Sequence, residues 1–109
     1  MSFAYLASPY SHPEKEVRQE RFRAACKAAA QLMEGGRGVF APIPHSHPIE
    51  EFVNTNNHDF WMRQDYPLLI AANELVVLML PGWEQSKGVA EEIRVFKLLG
   101  RPITYMEPV

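Results

Sequence analysis

Apolar and polar positions alternate between two rhythms along this chain of 109 residues. Short unbroken apolar runs mark strands. Phe3 to Ala7 reads as a buried strand, Gly38 to Ala41 as a second, and Glu74 to Leu80 as a third. Leu75 to Leu80 is apolar throughout, as expected of a strand covered on both faces. Pro102 to Met106 predicts a last strand. Longer stretches between them carry helical spacing. Ser11-His12-Pro13-Glu14 fits a capping box with proline early in the first turn, so a helix is predicted from there to about Glu34. Phe22, Cys26, Ala29 and Met33 would form its apolar stripe, and Gly35-Gly36 would stop it. The polar stretch from His45 to His58 reads as a long functional loop with one helical turn near Ile49 to Phe52. Asp59 to Ala72 predicts a further helix, kinked or restarted at Pro67. Ser86 to Leu99 predicts the last, ended by Gly100.

Strands that alternate with helices predict an α/β fold. We expect a flavodoxin-like, doubly wound, mainly parallel sheet of four to five strands with helices on both faces. Such sheets bind ligands beyond the carboxyl ends of their strands. Here those ends are Ala7 to Ser11, Ala41 to His47 and Leu80 to Gly88, which should converge on one cleft.

Composition narrows the function classes. The length suits one domain over residues 1–109. A net charge of -2 without a basic run argues against nucleic acid as the main partner. No segment approaches the roughly 20 apolar residues of a membrane span, and Met1 to Tyr5 lacks the start of a secretory signal. Cys26 is the single cysteine, so no internal disulfide forms and a cytoplasmic location is expected. In the middle of an alanine-rich helix, Cys26 reads as a packed thiol rather than a nucleophile.

The densest chemistry lies at 80–93. A strand runs into Pro81-Gly82, then Ser86, Gly88 and a helix with two early carboxylates. A strand-to-helix turn of this kind aims free N–H groups and a positive dipole end at one spot, which suits a phosphate. On a helical wheel of about 100° per residue, Val89, Ile93, Phe96 and Leu99 share an apolar arc. Glu92 falls inside that arc and Glu91 on the polar side. Dipole complementarity explains Glu91; Glu92 is predicted to face the sheet end, where burial would raise its pKa. Ser86 is the expected N-cap and also a natural phosphate ligand. Gly88 would let a ligand approach the backbone.

These residues resemble the nucleoside 2-deoxyribosyltransferase-like superfamily, which includes 2'-deoxynucleoside 5'-monophosphate N-glycosidases. Tyr5-Leu6-Ala7-Ser8-Pro9 is similar to its opening strand and turn, with Ser8 in place of the usual glycine. Arg63-Gln64-Asp65 stands where the superfamily has its aspartate, and Ser86-x-Gly88-Val89-x-x-Glu92 resembles the glycosidase motif. Asn73-Glu74 departs from the usual Ala/Cys-Asp. More closely, the chain resembles the uncharacterised DUF1937 family, through residues 5–11, Pro44-His45-Ser46-His47-Pro48 and the run from Leu80 to Val89.

The resemblance implies an N-glycosidic hydrolase with Glu92 as nucleophile and Asp65 as its supporting acid. Ser86, Lys87 and Gly88 would hold a 5'-phosphate. Tyr5 and Tyr10 would orient sugar or base, with Trp83 either joining them or packing, and Ser8 would line and narrow the first turn. His45 and His47 are candidates for the cleft rim; His-x-His can serve a metal on an extended segment, but no third ligand is evident, so neither metal nor cofactor is expected. The expected partners are a nucleotide or nucleoside and, as in small relatives of the fold, a second copy of the chain. A non-catalytic nucleotide-binding module, a deoxyribosyltransferase and a bare interaction domain remain as alternatives.

Overall fold

The computed structural model describes residues 2–55 and 57–109. Its elements run β1 (Ala4–Ala7), α1 (Lys15–Glu34), β2 (Val39–Phe40), α2 (Pro42–Glu50), α3 (His58–Ala71), β3 (Glu74–Leu78), a 3-10 turn at Trp83–Gln85, α4 (Lys87–Leu99) and β4 (Ile103–Met106). Four parallel strands form one sheet in the order β2-β1-β3-β4. This is the flavodoxin-like α/β arrangement. The chain steps from β1 outward to β2, then crosses back to β3 on the other side of β1. A cleft therefore opens where the carboxyl ends of β1 and β3 diverge.

Alternation along the strands divides the interior into two layers. Tyr5, Ala7, Leu75 and Val77 point to one face and pack with Leu69 of α3 and Val89, Val95 and Phe96 of α4. Ala4, Leu6, Val76 and Leu78 point to the other and pack with Ala28 and Ala29 of α1. The alanines let α1 lie close to the sheet. They also shift its buried stripe from the expected positions: Ala25, Ala28 and Ala29 are buried, while Met33 is 51% exposed.

Three local expectations fail. First, α1 begins at Lys15 and no side chain caps it; Glu14 is the N-cap residue, and its amide donates to His12 Nδ1 at 3.0 Å. Ser11 does not start the helix because Arg21 draws its carbonyl outward at 3.0 Å, and Arg18 draws that of Pro13 at 3.2 Å. Second, residues 42–50 are helical, where a loop was expected from His45 with one helical turn near Ile49 to Phe52. Pro42 supplies the helical φ of a first-turn position, and Pro48 is carried inside the helix. Third, α3 runs unbroken through Pro67 to Ala71, so the helix does not restart there. Pro67 is exposed, so the bond it deletes faces water. The third strand ends at Leu78, two residues early, and Asn57 caps α3 through its side chain on Phe60 N at 2.9 Å.

Candidate functional site

The reading of α4 holds at its cap, at Glu92 and at its terminal glycine; in its apolar arc Val89 and Phe96 are buried, while Leu99 is exposed and Val95 is buried in its stead. Ser86 is its N-cap, with Oγ accepting from Val89 N at 3.2 Å. Gly100 closes it with φ +67°. The first bond along the helix runs from Ala90 N to Ser86 O. The amides of Lys87 and Gly88 precede it, so no helix carbonyl receives them. Gly88 has open space where a Cβ would stand, so a ligand can come up to the backbone there. Gly82 has φ +91°, and a Cβ there would sit 2.8 Å from Arg21 Nη2. Only glycine gives this turn its left-handed bend while leaving room for the guanidinium.

Glu92 is 5% exposed and faces the sheet, while Glu91 pairs with Arg94 on the outside of the helix. The Tyr5 hydroxyl donates to Glu92 Oε2 at 2.6 Å. Burial pushes the Glu92 carboxyl up to about 8, against the Tyr5 bond, which lowers it; nearby Asp65 raises it further. Asp65, on α3 one turn before buried Leu69, is pushed up to about 6 by burial, partly offset by His45. Burial beside these two acids drives the Tyr5 phenol far above its ordinary value, so it remains a donor.

Glu92, Asp65 and Ser86 line one cleft of about 720 Å³, within the usual range for small-molecule sites. Ser8, Tyr10, Lys87 and Gly88 line it too. The Ser8 hydroxyl is buried without a hydrogen-bond partner. The cleft thus gathers a turn with free backbone amides and two carboxyls of raised pKa, the combination expected of a reactive centre.

Four predicted residues sit elsewhere. Tyr5 lies behind Glu92, fully buried with its ring against Phe40, and cannot stack on a ligand. Glu92 is therefore oriented by Tyr5; among the described residues no hydrogen bond joins it to Asp65. Trp83 packs into the core and against Tyr105. His45 is exposed beside Phe40. His47 stacks on Phe22 with ring centroids 4.1 Å apart, and its nitrogens meet Tyr10 OH at 2.6 Å and Gln19 Oε1 at 3.2 Å. The two histidines diverge because residues at i and i+2 of a helix do not share a face. Among the described residues no group of three or more His, Cys, Asp or Glu could hold a metal ion.

Sequence reasoning missed Arg18, Arg21, Ser46 and Glu50, which also line the cleft. The available signal for the arginines was their i, i+3 spacing at the start of α1. Ser46 and Glu50 belong to α2; Ser46 was read as loop and Glu50 as part of a single helical turn within it.

The family described as a domain of unknown function, DUF1937, matches residues 2–108. The chain belongs to the DUF1937 family. No curated protein matches it. The family's description assigns no chemistry. The match spans every element that builds the cleft. Among the described residues, no helix is long and apolar enough to cross a membrane.

Proposed function

We propose that this DUF1937 protein hydrolyses the N-glycosidic bond of a nucleoside 5'-monophosphate or related N-riboside. The observation that carries the reading is Glu92, buried at the cleft and fixed by the Tyr5 hydroxyl at 2.6 Å. The resemblance of Ser86-x-Gly88-Val89-x-x-Glu92 to the glycosidase motif supports it. Ionised Glu92 attacks the anomeric carbon on the face opposite the base. The C–N bond breaks and its electron pair leaves with the base, which takes a proton from the Asp65 carboxyl when that group is protonated. Water then opens the glycosyl ester and releases the sugar phosphate. Ser86 and the amides of Lys87 and Gly88 hold the phosphate at the end of α4.

A carboxyl at about 8 is mostly neutral at pH 7, which also suits a non-catalytic nucleotide-binding module. A nucleophile and a passive group differ in their pH dependence. A reaction that needs Glu92 ionised and Asp65 protonated draws on the singly protonated pair, so kcat/KM rises near pH 6 and falls above about 8; a module releases no base at any pH. The test is a thermal-shift panel of nucleoside monophosphates, followed by chromatography for free base. A panel with neither shifts nor release removes the proposal.

We place the protein in the cytoplasm, as a homo-oligomer. Leu98, at 74% exposure, and Tyr66, at 47%, leave apolar surface on α4 and α3 for a second copy. Size-exclusion chromatography with light scattering checks this; a monomer at all concentrations would contradict it.

A further inference from the structure

We infer that the cleft takes a substrate bearing two linked phosphates, with Arg18 and Arg21 binding the one that the α4 turn does not reach. This rests on the N-riboside reading and specifies its substrate class. Arg18, Arg21 and Lys87 all line the cleft. Among the described residues the ion pairs are Arg37 with Glu74 and Arg94 with Glu91, so none of the three cleft cations has a carboxylate partner. Glu50 shares the cleft without pairing to either arginine, and Asp65 stands beside Glu92 at the reactive end.

The arginines are fixed by neutral groups. Arg21 donates to Ser11 O at 3.0 Å and to Pro81 O at 3.2 Å, so one guanidinium ties the turn after β1 to the turn after β3. Arg18 donates to Pro13 O at 3.2 Å and also to His12 O. Carbonyls orient a guanidinium but leave its charge whole. Each arginine has more donors than these bonds use, and a guanidinium fork matches phosphate.

Charge decides the stoichiometry. Three side-chain cations plus a helix end worth roughly +0.5 face the cleft. One phosphomonoester brings about -1.5 to -2. Lys87 and the α4 end already match most of that, which leaves two oriented guanidiniums, offset in part by Glu50 beside Tyr10 and Arg18, for a second phosphate. Arg21 lies against Pro81 and Gly82 on the loop that leads to Ser86, so the two phosphate positions are contiguous, as a diphosphate requires.

The test is calorimetric titration of the Glu92→Gln protein with adenosine, guanosine, cytidine and uridine 5'-mono- and diphosphates. Inorganic phosphate and pyrophosphate are titrated into the wild-type protein. We expect the diphosphate of at least one nucleoside, and pyrophosphate over phosphate, to bind about tenfold or more tighter. Arg18→Gln and Arg21→Gln each keep a donor for the carbonyls while removing the charge. Both should reduce that preference and leave monophosphate affinity within about threefold. Equal affinity for one and two phosphates would overturn the inference. So would arginine variants that, with unchanged Tm, weaken both ligands alike. Base release without a diphosphate preference would sink only this inference; the preference without base release would sink only the glycosidase reading.

Discussion

At the scale of single residues, the protein turns on a carboxyl kept out of water. Glu92 has a folded pKa of about 8 against an ordinary 4.5, and Asp65 about 6 against 3.8. Both are raised, so the folded state binds more protons than the unfolded chain between those values. The sign follows directly: their contribution to stability is fully present below about pH 4 and is lost as pH rises towards 8. Glu92→Gln removes the larger part of that loss. The variant should match the wild type in unfolding free energy below pH 4 and exceed it at pH 8 to 9, by a few kcal/mol at most; parallel curves across the range would contradict the buried acid. Tyr5→Phe acts in the opposite sense on chemistry. The Tyr5 hydroxyl lowers the Glu92 pKa, so its loss should move the falling limb of kcat/KM to higher pH and lower its maximum, and the unsatisfied oxygen should cost about 1–3 kcal/mol of stability. A limb unmoved in Tyr5→Phe would show that Glu92 does not set it.

At the scale of elements, the turn after β3 and the first turn of α4 are the working parts. Gly82 and Ser86 make separable contributions. Gly82→Ala forces a Cβ into a backbone with φ +91° and against Arg21. It should cost on the order of 1–3 kcal/mol and, by displacing Arg21, weaken pyrophosphate binding in the same titration. Ser86→Ala removes the cap on Val89 N, which should cost about 1 kcal/mol in thermal unfolding and lower affinity for monophosphate. Element by element, α4 was the most legible because its cap, most of its apolar arc and its terminal glycine agree, although Val95 rather than Leu99 is buried. Two elements misled for identifiable reasons. The Ser11 capping box was locally sound, but Arg18 and Arg21 pull the preceding carbonyls into the cleft wall and delay the helix to Lys15. Residues 42–50 look like a loop because Pro and His have low helix propensity; Pro42 at the first position and burial of Pro42 and Ser46 override it. That error also made His45 and His47 look like a converging pair.

At the scale of the whole molecule, the topology was readable from the alternation of apolar runs and helical spacing. That alternation located the cleft at the carboxyl ends of β1 and β3. Contacts made across long sequence separation were not readable. The Tyr5–Glu92 bond joins residues 87 apart, and the Arg21–Pro81 bond residues 60 apart. No local pattern announces such pairs, so Tyr5 read as a ligand contact and Arg18 and Arg21 drew no reading. The proposed reaction depends on these long-range contacts, which bring the acid and the anion site to one cleft. Its most direct test is the rate of free-base release at pH 7 from whichever nucleotides bind, comparing wild type with Glu92→Gln. Wild type should release base steadily, and the variant should bind the same nucleotide with release reduced at least about a thousandfold. Release by Glu92→Gln at the wild-type rate would contradict the account.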